Sequence, residues 1–76
     1  MPSEWGARAM TRNGLRPPGA PITVCAPVPV RARIEWNTGE EIVDCVATAW
    51  AGEAVRVEMP ERAIMLWLAA VDVRRR

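Results

Sequence analysis

The sequence has no histidine, lysine, tyrosine, phenylalanine or glutamine, and its only serine is Ser3. Without His, Lys and Tyr, the carboxylates are the only usual general bases left, and most groups that activate a nucleophile are missing, so an enzyme is not expected. Two cysteines and scattered carboxylates lack the close spacing of a zinc site, and no glycine-rich phosphate loop exists. Neither metal, cofactor nor small-molecule substrate is therefore expected. Glu40 and Glu41 are adjacent at a hairpin end, where neighbouring side chains point to opposite faces, so they read as a solvated turn rather than a catalytic pair.

Long apolar runs are missing too. The longest, Ala63 to Val71, has nine residues, against the roughly 18 needed to span a bilayer. The N-terminus lacks a basic segment followed by an apolar core, so no secretory signal is read and a cytoplasmic protein without a membrane partner is expected. Charge of one sign is absent: ten arginines against nine acids leave a net charge of +1, which argues against both a strongly basic nucleic-acid module and an acidic mimic. Cys25 and Cys45 are too few for a disulfide framework and read as two reduced thiols, with Cys45 on a core face.

What is present is a β-hairpin spanning Val28 to Trp50. Val28, Val30, Ala32, Ile34 and Trp36 alternate with Pro29, Arg31, Arg33 and Glu35, a period of two that puts one face on a core. Asn37, Thr38 and Gly39 supply turn chemistry, and Glu41 to Trp50 reads as the returning strand. Pairing Trp36 with Glu41 across a four-residue loop sets Ile34 against Val43, Ala32 against Cys45, Val30 against Ala47 and Val28 against Ala49. It also sets Arg33 against Asp44 on the outer face. A three-residue loop with Gly39 in a left-handed bulge is equally good turn chemistry, but it would turn Asp44 to the core without a partner. The four-residue loop is therefore expected.

Seventy-six residues make one domain. Residues 1–27 hold five of the seven prolines and read as a poorly ordered segment, with residues 28–76 as the folded domain. Arg8, Arg12 and Arg16 would share one face if that segment were helical, but Gly6, Gly14 and Pro17-Pro18-Gly19 oppose a helix. Met10 is an alternative start, which leaves Trp5 little weight. Ile22, Val24 and Cys25 can add an edge strand, and Ala54 to Met59 alternates as a third strand of the hairpin's sheet. Pro60 to Arg76 carries helix signals as well as a strand-length apolar run, Ile64 to Leu68. Both a small closed barrel and a three-stranded antiparallel sheet with a C-terminal helix would bury the hairpin's inner face.

Val30 to Trp36 followed by Gly39-Glu40, a strand ending in Ala49-Trp50, and Leu66-Trp67-Leu68-Ala69-Ala70-Val71-Asp72-Val73-Arg74-Arg75 together resemble short uncharacterised proteins of actinobacteria and their phages, which are similar to SH3-like barrels. The resemblance covers residues 28–76. It implies an all-β barrel of about five strands, with Ile64 to Leu68 as the fourth, a 3₁₀ turn at Ala69 to Val71 and Asp72 to Arg74 as the fifth. It brings no activity with it, and a phage or prophage accessory protein is the setting it implies.

Two surfaces are candidates for function. Trp36 lies on the inner face and packs. Ile42, Val46 and Trp50 fall on the hairpin's outer face and, with Trp67, make an apolar patch suited to a protein partner or to a homodimer. Arg31, Arg33, Arg56, Arg74, Arg75 and Arg76 are the alternative, a guanidinium surface for nucleic acid. Glu35, Asp44 and Glu58 share those outer faces and oppose it. The expected function is a protein-interaction module; an accessory nucleic-acid binder is the alternative.

Overall fold

The computed structural model describes residues 11–76. Five strands, β1 (Thr23–Trp36), β2 (Gly39–Ala51), β3 (Ala54–Met59), β4 (Ile64–Ala69) and β5 (Val73–Arg75), form one antiparallel sheet in the order β4-β3-β2-β1-β5. The described residues contain no α-helix. Pro60–Arg62 is a 3₁₀ turn, Ile64–Ala69 a strand and Ala70–Asp72 a second 3₁₀ turn, which overturns the C-terminal helix alternative. Leu66, Trp67 and Leu68 are all buried, and a strand flanked on both faces accommodates such a run without amphipathic helical spacing. The all-β class therefore holds, as an open sheet whose end strands β4 and β5 do not pair.

The hairpin register differs from expectation by two residues. Trp36 pairs with Gly39 around a two-residue turn, Asn37-Thr38, and the ladder continues through Ile34–Glu41, Ala32–Val43, Val30–Cys45 and Val28–Ala47. Gly39 takes a φ of 138° while neither turn residue has positive φ, so the glycine absorbs the reversal and the loop closes tighter than four residues. A slip of two keeps every side chain on its predicted face, and the inner-face residues Val30, Ala32, Ile34, Val43, Cys45 and Ala47 are buried as expected. The partners change, however. Arg31, not Arg33, stands opposite Asp44, and Arg33 stands opposite Ile42.

A larger departure sits at Thr48. The β2–β3 ladder pairs Ala47 with Val57 but Ala49 with Arg56, leaving Thr48 as an extra residue in β2. Such a bulge shifts the side-chain alternation by one position. Beyond it Trp50 stands opposite Val55, and Val55 opposite Leu68, so Trp50 shares their face rather than that of Ile42 and Val46. Ala49, Ala51 and Ala54 pass to the other side, where they pack with Trp67 in a second buried cluster. β1 is disturbed at the same level, with Cys25, Ala26 and Pro27 standing between the Val24–Ala49 and Val28–Ala47 pairs. The expected edge strand at Ile22, Val24 and Cys25 is thus the first part of β1 itself, beginning at Thr23.

The main core joins Ile34, Val43, Cys45, Val57, Met59, Leu66 and Leu68, with Trp36 and Val73 packed beside it. Residues 11–22 hold no helix, so Arg12 and Arg16 do not share a helical face; Arg8, Trp5 and Met10 lie outside the described residues. Instead, Thr11 bridges to Trp36 of β1 and Leu15 to Trp67 of β4, and the Arg12 and Leu15 amides donate to the Glu35 and Trp67 carbonyls at 2.6 and 2.8 Å. Asn13 completes this docking. Its side-chain amide donates to the Arg33 carbonyl (2.8 Å) and accepts from the Glu35 amide (2.9 Å), much as a neighbouring strand would.

Candidate protein-interaction surface

Only part of the predicted apolar patch stays together. Ile42 is 54 % exposed and Val46 half-buried, four residues apart on one face of β2 with Asp44 between them. Trp50 is 47 % exposed but lies beyond the Thr48 bulge on the other face, and Trp67 is buried at 6 %. The bulge turns Trp50 away from Ile42 and Val46, and the small side chains at 49, 51 and 54 let the Trp67 indole settle onto the sheet on the face that Ile42 occupies.

The predicted guanidinium surface is largely tied up by acids. Arg31 pairs with Asp44 at 2.9 Å. Arg33 is held by Asp72 (2.8 Å), Glu40 (3.1 Å) and Glu35 (3.4 Å), and the Asp72 hydrogen bond, then that of Glu40, push its pKa up. Arg56 donates to the Thr48 hydroxyl at 2.9 Å and approaches Glu58 at 4.0 Å. Arg76 donates to the Cys45 carbonyl (3.0 Å) and stands 3.7 Å from Asp44. Of the six arginines proposed for nucleic acid, Arg74 and Arg75 alone have no acidic partner among the described residues, and as neighbours in β5 they point to opposite faces.

Sequence reasoning missed a cleft along β2. Pairing of β2 with β3 begins at Val46–Glu58 and runs to Ala51–Ala54, so Gly39 to Cys45 have no strand on that side. β3 ends because Pro60, next in line, has no N–H to donate and opens a 3₁₀ turn. Ala63 closes that turn in a left-handed conformation, φ 53° and ψ 41°. Between the turn and β2 lies a cleft of about 750 Å³, lined by Ile42, Val43, Asp44, Met59, Pro60 and Arg62 among others.

One bidentate pair spans the far end of the cleft. Arg62 donates to both Glu41 oxygens at 3.0 and 2.8 Å, and the Trp36 indole N–H donates to Glu41 Oε1 at 2.9 Å. These bonds, that of Arg62 first, lower the Glu41 pKa to about 2. Asp44, at the other end, is held below the ordinary carboxylate range chiefly by its hydrogen bond from Arg31. Cys45, in the core beneath, is raised by burial. Charge is unevenly spread along the cleft: Arg31 and Arg76 flank the single Asp44, whereas Glu41 and Glu61 flank the single Arg62. Among the described residues no three cysteine or acidic side chains gather as a metal site.

No family model, curated protein or solved structure matches this chain.

Proposed function

We propose that the chain is a small non-enzymatic protein-interaction module on an SH3-like barrel frame, with residues 11–15 spanning the side between β1 and β4 that the strands leave open. The cleft along β2 carries the reading: it combines exposed Ile42, half-buried Val46 and a length of strand without a neighbour. Sheet edges left uncovered are natural sites for a partner chain. Self-neutralised arginines favour a protein over a polyanion, because guanidinium groups already held by carboxylates must be freed before they grip phosphate. The sequence resemblance supports a phage or prophage setting, and the near-zero net charge with outer-face Ile42 and Val46 supports a host protein as the partner.

The test is capture of partners from a cell lysate with and without nuclease, comparing the wild type with Ile42→Asp and Val46→Asp. Both positions are surface-facing, so the variants are expected to fold. Nuclease-resistant capture of protein that both variants lose is the expected result. Recovery of nucleic acid alone, unaffected by either substitution and reduced by removing Arg74 to Arg76, would instead establish the nucleic-acid alternative.

A further inference from the structure

We propose that the outer face of the β1–β5 seam is an anion site that takes one carboxylate, an Asp or Glu side chain of the partner protein, between the guanidinium groups of Arg74 and Arg31. The proposal rests on the interaction-module reading and gives the partner a chemistry. Register assembles the site. Arg31 of β1 stands directly opposite Arg74 of β5 on one side and Asp44 of β2 on the other, so all three share one face of the sheet. Like charges directly opposite on neighbouring strands are destabilising, and β5 has only three residues with which to offset the repulsion. Two residues further along β1, Arg33 stands opposite Ile42 and is bound at 2.8 Å by Asp72, the last residue of the second 3₁₀ turn. The Asp72 side chain is only 10 % exposed and also accepts from Asn13 at 3.3 Å, so it forms a fixed wall. Arg31, Arg33, Arg74, Asp72, Ile42 and Val71 together line a pocket of about 380 Å³.

The acids around this pocket are already engaged. Asp72, Glu40 and Glu35 all hold Arg33, at 2.8, 3.1 and 3.4 Å. Asp44 is shared by Arg31 (2.9 Å) and Arg76 (3.7 Å). Arg74 is exposed and has no acidic partner among the described residues. The end of the pocket at Arg74 and Arg31 is therefore the cationic one, and a carboxylate bridging the two supplies a charge that the described residues do not bring. Hydrogen bonds from guanidinium to carboxylate are among the stronger kinds, and a shared anion also relieves the repulsion across the seam. Apolar surface beside the charge selects the source. Val71 is 86 % exposed and Ile42 54 %, both at the pocket, so a partner side chain next to the acid finds apolar area to bury. A nucleic acid fits less well. It brings successive phosphates, whereas Asp44 and Asp72 border the site, and Arg75, the other arginine without an acid, points to the opposite face.

The probes are acetyl-Leu-Glu-Leu-amide and its neutral twin acetyl-Leu-Gln-Leu-amide, titrated into the full chain while the arginine Nε–H resonances are followed by NMR. The Glu peptide is expected to shift the Arg74 and Arg31 resonances. It should bind about fivefold more tightly than the Gln peptide at low salt, the upper end of what an exposed ion pair contributes. Arg74→Gln should erase that difference, whereas Arg75→Gln, which removes the same charge from the opposite face, should keep it. Equal binding of the two peptides to the wild type overturns the proposal. So does an equal effect of the two substitutions, which would show only diffuse attraction to positive charge. A short oligothymidylate that moves the Arg74 resonance at lower concentration than the Glu peptide also overturns it and assigns the site to nucleic acid. If Arg74→Gln leaves partner capture intact while Ile42→Asp abolishes it, the carboxylate site falls and the interaction module stands. If capture survives Ile42→Asp and Val46→Asp while the peptides still discriminate at Arg74, the module reading falls and the anion site stands.

Discussion

Replacing Asn13 with Ala should cost more than any exposed asparagine in a loop would suggest. The Asn13 amide makes two hydrogen bonds of good length to the edge of β1, at 2.8 Å to the Arg33 carbonyl and 2.9 Å from the Glu35 amide, both partly buried. A third, longer contact at 3.3 Å reaches Asp72, which also holds Arg33. Each ordinary hydrogen bond contributes about 0.5–1.5 kcal/mol net, so removing the two short ones should destabilise by roughly 1–3 kcal/mol. For a chain of this size the whole stability is about 4–11 kcal/mol at 0.05–0.15 kcal/mol per residue. A 2 kcal/mol loss corresponds to about 8–16 °C in Tm. Urea unfolding followed by tryptophan fluorescence gives the global value, and native-state hydrogen exchange at the Glu35 amide gives the local one. Asn13→Asp should keep the Glu35 protection, because an acceptor oxygen remains, while losing the bond to Arg33 and setting a second carboxylate beside Asp72. If Asn13→Ala changes stability by less than about 0.5 kcal/mol, the range of an ordinary surface substitution, and leaves Glu35 exchange unchanged, residues 11–15 are not docked on β1 as described.

Leu68, fully buried on the core face, should lose about 2–5 kcal/mol on truncation to Ala; a value under 1 kcal/mol from chemical denaturation would show that β4 does not close the core. Ala63→Gly should be neutral or stabilising by up to about 1 kcal/mol, since a left-handed alanine costs roughly 1–2 kcal/mol and glycine does not. A clear loss of Tm would contradict the backbone conformation at the end of the Pro60 turn. Glu41 has its pKa lowered from 4.5 to about 2, so its pairing with Arg62 and Trp36 contributes stability that is complete above pH 4.5 and is lost as pH falls through about 2. Glu41→Gln should therefore lose less of its urea midpoint than the wild type across that acid window, and parallel curves would refute the pairing.

The parts of the fold that were legible in the sequence are those governed by alternation. Val28 to Trp36 and Val55 to Met59 announce which face is buried, and a two-residue error in the hairpin register leaves that face unchanged. What alternation cannot give is the partner across the strand, because loop length depends on which residue accepts positive φ. Gly39 took that role where either of two longer loops had equal claims. Asn13 was illegible for a different reason: its bonds join positions 20 and 22 residues away in sequence, and no local pattern distinguishes an asparagine that imitates a strand from one in a tail.

The candidate site shows the same division more sharply. Ile42 and Val46 were assigned correctly to the outer face because the count along β2 is unbroken up to Ala47. Thr48 then adds one residue, and the count fails for everything after it. The sequence carries a faint sign in the small side chains that follow at 49, 51 and 54, which leave room for an indole, yet the same alanines suit a plain strand equally well. That single insertion divides the tryptophans by role. Trp67 is drawn into the packing on Ile42's own face and Trp50 is left exposed on the opposite one, so neither adds exposed aromatic surface beside Ile42. A partner surface of stacked aromatics is thereby lost, and what remains near Ile42 is main chain and paired charge. A partner of the proposed interaction module would meet exposed Ile42, half-buried Val46 and paired charge there rather than an aromatic hot spot.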